Sequence, residues 1–529
     1  EDPFSREKLS PVLAFLKANT QDEGVELARQ MVMFNGLGHS AAIHTANKEL
    51  SQKFGDRIPA IRIIWNSPST FGGIGNIYNS FLPSLTLGCG SYGHNSIGDN
   101  VSAVNLLNIK QVGKRRNNMQ WFKVPSKIYF ERDSIEYLQQ AKQIDRVFIV
   151  TDRTMVELGY LARITDQLKL RRNKVQYQLF CDVEPDPDIT TVQKGVEVMR
   201  SFEPDVIVAL GGGSSMDAAK GMWLFYEYPD VDFNDLKQKF MDIRKRAFRY
   251  PELGKKAQLV CVPTTSGTGS EVTPFAIITD QDTGVKWPLA DYELMPDMAI
   301  VDTDNMMSQP RGLTCASGID VMTHAIEAYV SIMASDYTDS LALKAIKLVF
   351  DYLPRAYKNG NDVEARDHMA NASCMAGMAF ANAFLGINHS LAHKLGAFHH
   401  LPHGIANALV LTEVMKYNSA EVPKKMGTFS QYQYPHALAR YAEIGRFVGC
   451  TGKNDQEVFD QLLKKLEDLK KEVEIKENIA AYGVDESYFL ETLDEMSEQA
   501  FNDQCTGANP RYPLVSELKD IYLKAYYEK

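Results

Sequence analysis

Five side chains with metal-binding chemistry lie within one stretch of the sequence. Asp320 and His324 are four residues apart, as are His389 and His393, and His403 follows shortly after. Apolar residues at three- and four-residue steps predict helices around both pairs, and residues four apart share a helix face. A carboxylate with imidazoles and no thiolate is a ligand set typical of Fe(II) or Zn(II). Each histidine alone is more simply a packed core residue, but the two pairs together favour a metal site.

A glycine-rich turn predicts a second kind of chemistry. The apolar run at 205–210 predicts a buried strand that leads directly into Gly211-Gly212-Gly213-Ser214 and then a helix. The free N–H groups and the dipole of such a helix start attract an anion such as a pyrophosphate. The GxGxxG spacing of the standard dinucleotide fingerprint is absent, so a turn made for packing alone stays open. A second cluster, PTTSGTGSE at 263–271, follows another predicted strand and is suited to line the same ligand.

Asp152 directly follows the predicted strand at 146–150. An acidic residue there accepts hydrogen bonds from an adenosine ribose and repels a 2′-phosphate, which favours NAD over NADP. The alternative role, an N-cap of the next helix, is compatible with the first. A metal site next to a nicotinamide site predicts redox chemistry between alcohols and aldehydes. The metal would act as a Lewis acid on the substrate oxygen, and the nicotinamide would exchange the hydride. A histidine that is not a ligand could relay the proton.

Alternating strands and helices from Ser126 onward predict a parallel sheet covered on both faces. Beyond about residue 306 the pattern is helical only. The sequence therefore predicts an α/β fold, with a Rossmann-like NAD-binding domain at 126–305 followed by an all-helical metal-binding domain at 306–529. A glycine-rich first block spans 1–109, and a basic polar stretch predicts a linker at 110–125. The predicted strands of the sheet include 146–150, 175–180, 205–210, 258–263, 275–280 and 298–302.

Composition restricts the class of protein. The 529 residues include 57 Lys and Arg against 67 Asp and Glu, a net charge of −10, which speaks against nucleic acid or anionic membranes as partners. No run of 18 apolar residues and no signal peptide is recognisable. Seven Cys without CxxC spacing indicate free thiols in a reducing compartment. A cytoplasmic protein acting on small molecules is expected, and the start without Met predicts a piece of a longer protein.

Several motifs carry a family resemblance. GGGSSMDAAK, PTTSGTGSEVTPFAIITD, GIDVMTHAIEAYV and HSLAHKLGAFHHLPHG together resemble the iron-dependent (group III) alcohol dehydrogenases. Residues 122–529 more closely resemble the alcohol dehydrogenase half of the bifunctional aldehyde–alcohol dehydrogenases of fermentation. The first block is similar to the last part of their acetyl-CoA-reducing aldehyde dehydrogenase half. The resemblance implies an NAD(H)-dependent enzyme that interconverts acetaldehyde and ethanol, with the aldehyde dehydrogenase half truncated and inactive.

The resemblance also assigns roles to residues. It implies Fe(II) ligands, a non-ligand histidine that relays the proton, and a cofactor site. The implied ligands are Asp320, His324, His389 and His403, and the relay is His393. The implied cofactor residues are Asp152, Gly212, Gly213, Ser214, Asp217, Thr264, Thr265, Thr268 and Lys286. Zn(II) is expected to bind such ligands at least as well as Fe(II). Cys89 is expected to be structural, and His39 resembles a histidine near the acyl-transfer site.

Two alternatives stay open. One is a Zn-dependent polyol dehydrogenase of the same fold, such as a glycerol dehydrogenase. The other is a metal-stabilised module for filament assembly, because in the resembled family the aldehyde dehydrogenase half helps to form helical filaments. The resemblance implies a homo-oligomer in either case.

Overall fold

The computed structural model describes residues 13–74, 79, 81, 92, 111–114, 121–236, 250–280, 286–420 and 437–528. The chain forms two compact units, Glu1–Gln120 and Trp121–Lys529. The predicted domains at 126–305 and 306–529 therefore belong to one compact unit.

The first unit contains a three-stranded parallel sheet in the order β1-β2-β3. Its elements are α1 (Gln21–Phe34), β1 (Gly38–Ile43), α2 (Lys48–Arg57), β2 (Ala60–Trp65), α3 (Ser69–Ile74) and β3 (Gln111–Lys114). Val25, Phe54 and Ile63 meet in its core. β3 lies within the predicted linker at 110–125 and pairs with β2; the linker as a whole stays a prediction. His39 is exposed on β1, and Cys89 lies outside the described residues.

The second unit is built on a six-stranded parallel sheet in the order β4-β11-β8-β7-β5-β6. Neighbouring residues of β5 face opposite cores, Phe148 and Val150 on one side and Val147 and Ile149 on the other, which explains the unbroken apolar run. Its strands are β4 (Lys127–Phe130), β5 (Arg146–Val150), β6 (Gln176–Phe180), β7 (Val206–Gly211), β8 (Gln258–Pro263) and β11 (Met298–Val301). The helices along it are α4 (Arg153–Glu157), α5 (Tyr160–Lys169), α6 (Ile189–Phe202), α7 (Gly213–Glu227) and α8 (Phe233–Leu236).

One predicted strand lies outside this sheet. β9 (Phe275–Thr279) pairs antiparallel with β10 (Lys286–Ala290) in a separate two-stranded sheet. Assigning 275–280 to the parallel sheet was therefore wrong, because β9 finds its partner a few residues further along the chain. The sequence analysis missed β10, which is short and contains Pro288, a residue that weakens a strand prediction.

From residue 311 onward the described elements are helical, as predicted. They are α9 (Arg311–Val330), α10 (Asp336–Lys358), α11 (Val363–Ala383), α12 (Ile387–His399), α13 (His403–Ser419), α14 (Ala437–Phe447), α15 (Asp455–Glu472), α16 (Glu486–Phe501) and α17 (Val515–Tyr527). Helix α9 is buried along most of its length and packs against α10, α11 and α13. Among the described residues no single helix is long and apolar enough to cross a membrane, and α11 and α12 pass that test only as a pair bent by 109°.

Candidate metal and cofactor site

Three helices bring the four predicted ligand side chains together. Helix α9 carries Asp320 and His324, α12 carries His389, and α13 begins at His403. The Nε2 atoms of His403, His389 and His324 lie 3.4, 3.5 and 3.9 Å from Asp320 Oδ1. Two ligand atoms bound at about 2.1 Å to one tetrahedral ion lie about 3.4 Å apart. The donor types and their spacing therefore fit one divalent ion such as Fe(II) or Zn(II).

A glycine contact allows these helices to approach closely. A Cβ atom added at Gly404 would lie 1.9 Å from the carbonyl oxygen of Ala316 on α9. Only a residue without a side chain permits α13 to start against the α9 backbone. Since His403 is the residue before Gly404, this contact brings its ring within reach of Asp320.

Burial and charge determine which groups carry protons. Burial lowers the pKa of His324 to about 3, against the opposing effect of Asp320, so this imidazole is neutral at pH 7. Burial acts in the same direction on His389, but the carboxylates of Glu327 and Asp320 raise its pKa to about 9. Burial would raise the pKa of Asp320, yet the surrounding histidines hold it well below its usual range. Asp320 is therefore ionised, and its carboxylate beside three imidazoles is suited to bind a cation.

Two residues that the sequence analysis missed contact the ligand atoms. Glu327 on α9 accepts a hydrogen bond from His389 Nδ1. Asn407 on α13 donates through Nδ2 to Asp320 Oδ1 at 2.8 Å, and the same nitrogen lies 3.2 Å from His389 Nε2 and 3.3 Å from His403 Nε2. A signal existed for Glu327, since it lies seven residues after Asp320 and thus on the same helix face.

His393 has a different environment from the four predicted ligands. Its Nδ1 lies 3.1 Å from Asp503 Oδ2, and its ring stacks on that of His403 with 5.5 Å between centroids. Lys394 Nζ lies 3.0 Å from the same Asp503 oxygen. Burial would raise the pKa of Asp503, but His393 and Lys394 hold it well below its usual range. An ionised Asp503 keeps the proton of His393 on Nδ1, which leaves Nε2 as the acceptor.

Six of the nine predicted cofactor residues lie at or just after the carboxyl ends of three adjacent strands, β8, β7 and β5. They line a cavity of about 620 Å³. Strand β5 lies between β6 and β7 in the sheet, so the strand order reverses direction at β5. In a doubly wound sheet, ligands usually bind in the crevice at the carboxyl ends of the strands where the order reverses. The predicted residues in this cavity are Asp152, Gly212, Gly213, Ser214, Thr264 and Thr265.

The polar atoms of this cavity fit a dinucleotide. Thr264 Oγ1 and Thr265 Oγ1 are buried and have no hydrogen-bond partner among the described residues, so a ligand in the cavity would satisfy them. Gly211 has φ +146°, and a Cβ atom there would lie 2.6 Å from Ser215 Oγ. Asp152 Oδ1 caps α4 by accepting from the Met155 N–H at 3.1 Å. The N-cap alternative is thus correct and leaves the ribose role open.

Asp217 and Lys286 stay predictions as cofactor residues. Asp217 does not belong to the glycine turn alone, because its oxygens accept from Ser270 Oγ at 2.9 Å and from the Ile277 N–H at 3.0 Å. The carboxylate thereby fastens α7 to the loop before β9. The side chain of Lys286 lies outside the described residues.

A second cavity is lined by residues of the metal cluster and borders the cofactor crevice. Its volume is about 170 Å³, and it shares Gly213 with the larger cavity. Its walls include Asp217, Thr268, His324, His389, His393, His403 and Gln504. The metal and cofactor residues predicted from separate sequence motifs therefore surround adjoining spaces.

Comparison with known proteins identifies the family. Residues 125–303 match the family of iron-containing alcohol dehydrogenases, and residues 314–526 match the C-terminal domain of the same family. The chain belongs to the iron-containing alcohol dehydrogenase family. The predicted cofactors, NAD(H) and iron, are those of this family, and the prediction of an iron-dependent oxidoreductase is confirmed at that level.

The chain is also similar to individual proteins in sequence and in structure. The chain is 59% identical over 526 residues to an aldehyde-alcohol dehydrogenase of Streptococcus pneumoniae, which covers 99% of the chain and 59% of the relative. The chain thus spans about three fifths of that relative's length. The structure resembles an iron-containing alcohol dehydrogenase of Thermococcus thioreducens (31% identity, 77% of this chain and 100% of the other, TM-score 0.68). It also resembles a sulfoacetaldehyde reductase of Bifidobacterium kashiwanohense in complex with NAD+ (26%, 78% and 100%, 0.66).

Proposed function

We propose that this chain interconverts acetaldehyde and ethanol with NAD(H) at a site that holds one Fe(II). The observation that carries the proposal is the cavity of about 170 Å³, which has His324, His389, His403 and His393 on its walls and shares the wall residue Gly213 with the larger cavity. Its small volume favours a short-chain substrate.

The proposed roles follow from the positions of the side chains. Asp320, His324, His389 and His403 would hold the ion, which when bound supplies Lewis-acid polarisation of a substrate oxygen. The nicotinamide, when bound, supplies the hydride chemistry. Thr264 and the glycine turn after β7 bind and orient the dinucleotide at the larger cavity.

His393 is proposed to move the proton. With Nδ1 bonded to Asp503, its Nε2 is free to accept the hydroxyl proton of an alcohol or to return it to an aldehyde. Its side chain is 28% exposed, so the proton can pass on to water.

Acidic side chains support NAD as the cofactor. Asp152, Asp182 and Glu184 all line the larger cavity. Arg153, the cation best placed to bind a 2′-phosphate, donates to Asp182 at 2.7 Å. The 2′-phosphate of NADP would therefore be repelled by these carboxylates.

Residues 1–109 are proposed to correspond to part of the aldehyde dehydrogenase half of the longer relatives. The support is that the family match begins at residue 125, whereas the Streptococcus pneumoniae relative matches 99% of the chain. That this part is truncated and inactive, that the chain forms homo-oligomers and that it is cytoplasmic stay predictions.

The test is anaerobic oxidation of NADH and NADPH by acetaldehyde, with the Fe(II)-loaded wild type and Asp152→Gly. We expect the wild type to use NADH at least about tenfold better, and the variant to gain NADPH activity because the repelling carboxylate is gone. Glycine is a tolerated N-cap, so α4 loses only a few tenths of a kcal/mol. Folded, Fe(II)-loaded wild type without NADH oxidation would contradict the function. Unchanged use of NADPH by the variant would contradict the role of Asp152.

A further inference from the structure

Glu327 is a buried carboxylate with two separate tasks at the metal cluster. It is 5% exposed and lies on the α9 face that also carries Asp320 and His324. One oxygen, Oε2, accepts the hydrogen bond from His389 Nδ1. The other, Oε1, accepts from the backbone N–H groups of Asn388 at 2.8 Å and His389 at 3.3 Å.

The backbone contacts place Glu327 at the start of α12. The N-cap residue Gly386 has no side chain to bind the free N–H groups there. Glu327 takes two of them, and Asn509 Oδ1 accepts from the Ile387 N–H at 3.2 Å. A Cβ atom at Gly386 would lie 3.0 Å from Glu327 Oε1 and 2.6 Å from Asn509 Oδ1, so glycine is required for this external cap.

We propose that Glu327 is a positioning residue that sets the affinity of the four-ligand cluster for its divalent ion. The proposal rests on the metal site of the proposed function. Because Glu327 accepts the hydrogen bond from His389 Nδ1, it holds the ring with Nε2 turned toward Asp320 Oδ1, 3.5 Å away, where a divalent ion would displace the Nε2 proton. An anionic partner on the far side of a ligand imidazole fixes its tautomer and ring orientation and makes it a better donor.

Charge balance points the same way. A divalent ion with one ligand carboxylate, Asp320, and three neutral imidazoles has a net charge of +1. The ionised carboxylate of Glu327 brings the buried cluster to zero. A neutral cluster avoids the cost of an uncompensated charge in a region of low dielectric.

Glu327→Gln tests the proposal, because it keeps the size of the side chain and removes its charge. The amide oxygen can accept from the helix N–H groups or from His389 Nδ1, but not from both sets. The measurement is the dissociation constant of Zn(II) and, anaerobically, of Fe(II), by competition with a chromophoric chelator. We expect both to rise about 10- to 100-fold. The buried donors left unpaired also lower the unfolding midpoint of the metal-free protein, and a control at the same helix end separates that effect from metal affinity.

Asn509→Ala is the matched control, since Asn509 caps the same helix end without contacting a ligand ring. We expect a lower unfolding midpoint with metal affinity close to wild type. Wild-type affinity in Glu327→Gln, or an equal loss of affinity in both variants, would overturn the proposal. A wild type that binds the ion tightly but does not turn over acetaldehyde contradicts the proposed function only, because the affinity comparison still stands.

Discussion

His389 and His393 lie one helical turn apart on α12, yet their Nδ1 atoms bind different carboxylates. His389 donates to Glu327, and its Nε2 faces Asp320. His393 bonds to Asp503 and faces the small cavity. The two partners account in physical terms for the different roles proposed for these histidines, a metal ligand and a proton relay.

The five candidate side chains could be singled out from the sequence because their types and the i,i+4 spacing of two pairs are local properties. The choice of four ligands among them came from the family resemblance. Glu327 has a local signal, but a glutamate on a helix face is too common to be informative alone. Asp503 lies 110 residues from His393 along the chain, so only the tertiary structure identifies the pair. Asn407 likewise has no chemistry of its own that a sequence pattern would single out.

Glu271 gives a prediction about pH. It is 2% exposed, and its Oε2 has no hydrogen-bond partner among the described residues. Burial raises its pKa from 4.5 to about 7. Between these values the folded protein binds the proton more tightly than the unfolded chain does. The contribution of Glu271 to the free energy of unfolding is therefore fully present below pH 4.5 and is lost as the pH rises through 7.

We expect Glu271→Gln to remove the loss of stability at high pH, because glutamine does not ionise. The variant should be more stable than the wild type at pH 8, by an amount on the order of 1–3 kcal/mol, and closer to it at pH 5. Denaturant midpoints of both proteins at the two pH values provide the measurement. An equal difference between the proteins at both pH values would refute the assignment.

Glycines determine how closely the elements of the site approach one another. Gly404 meets the α9 backbone, and a Cβ atom at Gly269 would lie 2.7 Å from the Cα of Gly377 on α11. The sequence indicates that glycine-rich stretches allow close approach, but it does not reveal which helix is approached. The parallel strands were predictable from their apolar runs, whereas β3 and β10 are short and depend on pairing.

One backbone feature near the site has no sequence signal. Phe384, between α11 and α12, has φ 64° and ψ −171°, a region that residues other than glycine rarely occupy. It is fully buried, and packing around its ring holds this conformation.

Gly404→Ala tests the helix contact. The new methyl group would meet backbone atoms that cannot move aside, so we expect a loss of about 1–3 kcal/mol in the free energy of unfolding together with weaker metal binding. Gly312→Ala on α9 is the control, because a Cβ atom there meets nothing within 4 Å, and we expect equal or slightly higher stability. Thermal midpoints and metal content report both effects. A Gly404→Ala protein as stable and as metal-rich as the control would show that the contact is unimportant.

All described residues of the candidate site belong to the second unit, Trp121–Lys529. The parallel sheet supplies the cofactor crevice and the helices α9, α12 and α13 supply the metal cluster. Their junction is Gly213, the first residue of α7. The sequence predicts a cofactor site at the sheet and a metal site among the helices, because strands alternate with helices first and only helices follow. That the two cavities are adjacent could be seen only in the structure.

Catalysis is proposed to depend on one divalent ion held by Asp320, His324, His389 and His403. His403→Ala tests it most directly, because the His403 side chain is 45% exposed and its removal leaves the core intact. Bound metal and acetaldehyde-dependent NADH oxidation are measured on the same samples of variant and wild type. We expect about one ion per chain and turnover in the wild type, and loss of both in the variant. Turnover retained by metal-free variant protein would contradict it.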